Sequence, residues 1–146
     1  MAQNKPYAIK AAVGTPSAAF WTFNNQKSMY GGKHIAAGDE AFVFASENHG
    51  GAGLWAVGVV MSAQPTARRL GVERQTPCVS LTIKCVALAQ RRLGRAELKL
   101  FGDWNDGQAQ TELNFKLYRQ ATDKIIGISE PCALFLRGFF DGLPNP

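Results

Sequence analysis

The chain has 146 residues, of which 46% are hydrophobic and 18% charged, and it carries a formal net charge of +5. This composition is that of a globular rather than a disordered chain, and it suits one domain over residues 1–146 with a core large enough to stand without disulfide staples. No apolar run reaches the roughly 20 residues of a membrane span, and "MAQNKPYAIK" lacks the apolar core of a signal peptide, so the expectation is a cytoplasmic protein with no membrane partner.

The first element is "YAIKAAVG". It alternates, with Tyr7, Ile9, Ala11 and Val13 on one face and Ala8, Lys10 and Ala12 on the other, which predicts a strand. In "TPSAAFWTFNNQKSMYGGKH", Pro16 and Ser17 predict a short helix, and Asn24, Asn25, Gly31 and Gly32 break any long one. Gly38-Asp39 forms a turn before the strand "EAFVFAS", whose Phe42, Phe44 and Ser46 share a face. The next strand is "LWAVGVVMS", with Trp55, Val57, Val59 and Met61 on one face. Gly58 inside it marks a bulge or a close backbone approach. "ENHGGAG" joins the two strands and supplies glycines for positive φ.

A basic loop, "QPTARRLGVERQTP", precedes the clearest strand, "CVSLTIKCVAL". There Val79, Leu81, Ile83 and Cys85 alternate with Ser80, Thr82 and Lys84. Asn114 to Tyr118 reads as one more extended stretch. In "SEPCALFLRGFF", Ser129 is the N-cap, Pro131 falls in the first turn, and Cys132, Leu136, Phe139 and Phe140 recur at helical spacing. The sum is an α+β chain: five or six short strands in a small open β-barrel with flanking helices.

Chemistry-bearing patterns are sparse. Cys78, Cys85 and Cys132 have neither the number nor the spacing of a disulfide framework or a metal site, so they read as reduced thiols, and no metal or cofactor is expected. Ser46 and His49 lie near Asp39, yet no strand-turn-helix elbow surrounds the serine, and no phosphate loop precedes a Lys-Ser/Thr. The reading is therefore noncatalytic. Positive charge gathers at Arg68, Arg69 and Arg74, and again at Arg91, Arg92, Arg95 and Lys99, as suits a polyanion.

Several pieces in order resemble the PUA-like superfamily, and within it the EVE domains and their YTH and ASCH relatives. A first strand ends in Lys10-Ala11, and a following segment delivers Trp21-Thr22 in "FWTF". "GDEAFVFAS" and "GLWAVGVV" match the next two strands, and "YRQATDKIIGI" supplies the Arg-Gln pair before a buried isoleucine. The likeness runs from Tyr7 to Phe140, with two departures. Ala11 stands where the family has Ser or Thr, and "FWTFNNQKSMYGGKH" replaces the Trp-Asp-Gly-Val-Arg-Asn signature.

The resemblance implies DNA or RNA binding, with a modified, possibly methylated base flipped into an aromatic pocket. A flipped base needs flat apolar walls, a few polar atoms for its edge and cations for the flanking phosphates. Trp21 and Trp55 are the implied walls, with Trp21 lining a surface cavity between the first strand and "FVFAS". Ser46, Asn48, Thr22 and the backbone at Ala11 are the implied edge readers. Lys10, Arg68, Arg69, Arg119 and Gln120 complete the set, the cations meeting phosphates. Ser46 to His49 would then rim the pocket. The alternatives are a small enzyme acting on a nucleotide-like substrate in the same cleft, and a protein-interaction module.

Overall fold

Stretches rich in Val, Ile, Phe and Trp form the strands of the computed structural model, which describes residues 5–12, 19–47, 50–51, 53–66, 71, 77–119 and 123–140. The strands are β1 (Pro6–Ala11), β2 (Phe20–Met29), β3 (Glu40–Ala45), β4 (Gly53–Pro65), β5 (Cys78–Leu88) and β6 (Lys124–Gly127). They close into a barrel in the order β1-β3-β4-β5-β2-β6. β6 closes the curved sheet, running antiparallel to β1 and parallel to β2. β1 and β3 are also parallel. The described helices are α1 (Arg95–Leu98), α2 (Ala109–Leu113), which continues as a π-helical turn over Asn114–Tyr118, and α3 (Glu130–Arg137).

Two apolar clusters follow from the alternation along the strands. The inner one takes residues from all six strands, among them Ile9, Trp21, Val43, Ala56, Ile83 and Ile125, and so fills the barrel. The outer one joins Ala8, Phe42, Phe44, Val57 and Ile126 to Leu113, Leu117, Cys132 and Leu136 of the helices. β1 and β3 are thus covered on both faces, which is why their sequences carry so little polar alternation. Arg137 pins α3 to β3 through a two-pronged ion pair with Glu40, its Nη2 lying 2.6 Å from Oε1.

Two sequence expectations are corrected. The expected helix opening at Pro16 and Ser17 falls on residues outside those described, and Phe20 onward is strand. Asn24 and Asn25 bulge β2, with Asn25 at φ 51°, a conformation asparagine tolerates. Asn114 to Tyr118 is helical rather than extended. Its alternation of polar and apolar residues imitates a strand, but Leu113 and Leu117, four apart, are the ones that face the core. Finally, Trp55 does not share a face with Val57, because a bulge intervenes.

Other expectations stand. Ser129 caps α3, its Oγ accepting from the Cys132 N–H at 3.3 Å, and Cys132, Leu136, Phe139 and Phe140 are buried. Cys132 is fully inside, and Cys78 and Cys85 are half-buried. At Gly58 both anticipated features are present. β4 is bulged beside it, and a Cβ there would run into the Lys84 carbonyl oxygen and the Ile83 side chain.

Glu112 ties α2 to α3. Its carboxylate accepts from the Ser129 N–H at 2.8 Å, from the Ser129 hydroxyl and from Lys116 Nζ at 3.1 Å. Burial pushes its pKa up, but the Ser129 and Lys116 bonds outweigh that and hold it below the ordinary glutamate value. A carboxylate with a depressed folded-state pKa stabilises the fold fully above its unfolded value, and that contribution is lost as pH falls through the folded value. Glu112→Gln therefore removes part of the acid-side loss of stability, and melting curves below about pH 4.3, the free glutamate value, converge for the two proteins. Curves that stay parallel down to acid pH would refute this.

Candidate nucleic-acid interface

One end of the barrel gathers the ends of β1 and β3, the starts of β2, β4 and β6, and Arg95 at the start of α1. β6 pairs with β2 only over Lys27–Met29, so among the described residues Phe20–Phe23 have a strand neighbour only on the β5 side. Trp21 lies on this stretch, its side chain turned to the inside of the barrel.

Trp21 is 6% exposed and belongs to the inner cluster. It packs against Trp55, the ring centroids 4.6 Å apart and the planes tilted by 46°. Its indole Nε1–H is buried and finds no hydrogen-bond partner among the described residues. Trp55 arrives by a bulge. Phe44 pairs with Leu54 and Val43 with Ala56, so Trp55 is the extra residue between them. Trp55 and Ala56 both turn to the inner cluster, while Leu54 and Val57 face the helices. A bulge at a barrel rim is a way to re-aim one side chain, and here it puts a half-buried indole over a buried one.

Ala11 ends β1 on the same inner face, opposite Ala45, and its carbonyl accepts from the Ser46 N–H at 2.9 Å. Ser46 is 1% exposed, and its Oγ has no hydrogen-bond partner among the described residues. Thr22 follows Trp21 and must therefore point outward. It is exposed, and its Oγ1 lies 3.3 Å from that of Thr82, so it does not share the Trp21 face.

Lys10 is corrected as a phosphate ligand. It points to the helix side of β1, has no exposed surface, and donates from Nζ to the Leu117 carbonyl at 2.8 Å. Arg119 is exposed, its guanidinium 5.1 Å from the Phe115 ring centre. Asn48, Arg68, Arg69 and Gln120 lie outside the described residues.

The structure adds a polar cluster that the sequence did not single out. Lys124 stands opposite Lys10 in register, and it too is buried. Burial, then the Lys124 charge, lowers the Lys10 pKa, and burial lowers that of Lys124. Lys10 Nζ sits 5.2 Å from the Tyr118 ring centre, and the Arg95 guanidinium 5.9 Å from it. Glu47 accepts from the Arg95 N–H at 2.7 Å through Oε2. Its Oε1 and the Tyr118 hydroxyl are both buried, and the phenol faces the carboxylate. Glu47 was read only as part of the Ser46 to His49 rim, with no role of its own. Tyr118 was hidden by the strand reading of its segment.

No protein-family model matches the sequence, and no curated protein matches it. Solved structures do. The chain is similar to human THYN1 protein in complex with 5-methylcytosine containing DNA, with a TM-score of 0.64 at 11% identity, covering 97% of this chain and 100% of that one. It is also similar to the DUF55 domain of human thymocyte nuclear protein 1, at 0.61 and 11%, over 90% and 96% of the two chains. A third neighbour is Rpa0253 from Rhodopseudomonas palustris, at 0.58 and 13%, over 97% and 96%. Barrel, flanking helices and neighbours agree: the chain folds as a small α+β PUA-like barrel, the fold of these DUF55 domains.

Proposed function

We propose that the chain is a noncatalytic DNA-binding domain that takes one modified base at the end of the barrel where Trp21 and Trp55 meet. The observation that carries this is the tryptophan pair, one indole bulged into place at the rim and the other beneath it with an unspent N–H donor. With centroids 4.6 Å apart the rings leave no slot for a base between them, since a sandwich needs two stacking distances of about 3.4 Å each. The base instead stacks on the open face of Trp55, backed by Trp21. A methyl group adds apolar contact there. The net charge of +5 favours a polyanion, and the THYN1 complex with 5-methylcytosine DNA supports this choice of ligand.

The test is a titration of a DNA oligonucleotide carrying one 5-methylcytosine against the same strand unmodified, with the matching RNA as competitor. The modified DNA binds more tightly. Both DNA affinities fall about ten- to a hundredfold between roughly 50 and 200 mM salt, as expected for two to four neutralised phosphates. An affinity flat in salt and blind to the modification would overturn the reading, and tighter binding of the RNA would replace DNA as the ligand.

A further inference from the structure

We infer that the outer face of β2, β5 and β4 is a second nucleic-acid surface, which holds a single strand through its phosphates and by stacking on Phe20, without regard to sequence. This rests on the nucleic-acid reading above, but not on the modified base or the tryptophan pair. The strand register lines up outward residues in rows across the three strands. Phe20, Lys84 and Val59 form the first row, and Thr22, Thr82 and Ser62 the second. Ser80 follows in register with Gln64, and its hydroxyl accepts from the Asn25 N–H at 3.0 Å. Lys27, opposite Cys78, ends the series. The residues that alternate with these rows, Trp21, Val60, Leu81 and Ile83, fill the barrel, so the rows face out. From Lys84 to Cys78 the face runs about 20 Å along β5, room for several nucleotides. The helices pack elsewhere, on β1, β3, β6 and the first half of β4.

Charge names the occupant. The chain has 11 acidic residues, yet β2, β4 and β5 carry neither Asp nor Glu, and their charged residues are Lys27 and Lys84. Glu40, in register beside Val59 on β3, is taken up by Arg137. A face for a protein partner would offer charges of both signs; one with cations and neutral donors alone complements a polyanion. The remaining chemistry fits a nucleotide chain. Phe20 is 52% exposed and presents a flat ring beside the Lys84 ammonium, a stacking platform next to a phosphate contact. Thr22, Ser62 and Gln64 are exposed donors for phosphate oxygens, and exposed Val59 and Met61 supply apolar surface for the sugars. Phe20 also precedes Trp21 in β2, so a strand with one base on Trp55 reaches this face from the same end of the barrel.

The probe is an unmodified oligothymidylate of about ten nucleotides, titrated over a range of salt. Phe20→Ala weakens it about five- to a hundredfold, the range of one base–aromatic stack. Phe20→Leu, which keeps apolar bulk and loses the flat ring, decides the matter if Phe20→Ala shifts the melting point. Lys84→Ala and Lys27→Ala each weaken binding several-fold and lower the slope of log affinity against log salt by about 0.7, the share of one single-strand phosphate. Lys99→Ala removes the same charge from an exposed site just past α1 and costs less. Equal losses for Lys84→Ala and Lys99→Ala would overturn the inference, because the overall field of the protein would then hold the strand. So would unchanged affinity and slope in the Phe20, Lys27 and Lys84 variants, which would leave the face to a protein partner. If that happens while Trp55→Ala still weakens the 5-methylcytosine strand, this surface falls and the base-binding reading survives. If no oligonucleotide binds the wild-type chain, the nucleic-acid reading falls and takes the inference with it.

Discussion

Phe44→Ala lowers stability by about 3–5 kcal/mol, the usual cost of a large-to-small change at a sealed core site. Phe44 has no exposed surface and packs in the layer that Leu54, Leu117 and Leu136 share between sheet and helices. The hole left by its ring borders β3 and the helix layer at once, and neither side can collapse without moving the other. In a chain of 146 residues this corresponds to a melting point lower by about 6–20 °C. Binding of modified and unmodified strands then falls by the same factor, the fraction unfolded. A loss under about 1 kcal/mol in denaturant titration would mean the outer layer is not the continuous core described.

Trp55→Ala gives the opposite pattern. Trp55 is half-exposed, so its loss spares most of the core, yet it removes the surface on which the base stacks. The expected cost is about 1–3 kcal/mol for the modified strand, the range of base–aromatic stacking. The unmodified strand, held through its phosphates, loses much less. Trp21→Ala cannot make this separation. At 6% exposure its truncation opens a cavity inside the barrel and confounds binding with folding. Trp21→Phe removes the unpartnered N–H but also cuts the two-ring indole to one ring, so a selective loss there reports on the donor only where the melting point is kept. Paired titrations with melting curves decide it. Equal losses for both strands on Trp55→Ala, with the fold intact, would return Trp55 to a purely structural role.

Much of the barrel was legible in the chain because its strands carry strong local signals. "CVSLTIKCVAL" keeps its alternation as far as Cys85, and Ser129 with Pro131 announces α3 unaided. The misread pieces are those in which tertiary contacts overrode a short pattern. Asn114–Tyr118 alternates like a strand over five residues, too few to distinguish the two periods. Trp55 was assigned the wrong neighbours because a one-residue bulge shifts every later side chain to the other face. The site was legible in part. Trp21 and Trp55 were named and do meet, but their burial runs opposite to expectation: the tryptophan in the polar segment is the deeper one. Lys10 was misplaced because β1 is covered on both faces, which no alternation within β1 reveals. Glu47 and Tyr118, 71 residues apart in number, are neighbours only once the barrel closes.

That closure also governs how the chain reaches its native state. β6 is four residues long, yet it seals the seam between β1 and β2 by pairing with both. Its partners on β1 lie more than 100 positions away along the chain: Lys10 meets Lys124, and Tyr7 meets Gly127. Contacts of that range carry the loop-closure entropy of nearly the whole chain, and they slow folding. Until β6 docks, one side of β1 and one side of β2 are open strand edges able to pair with another chain. The seam strand, rather than the larger hydrophobic layers, is therefore the step at which nascent chains divide between the native barrel and aggregation.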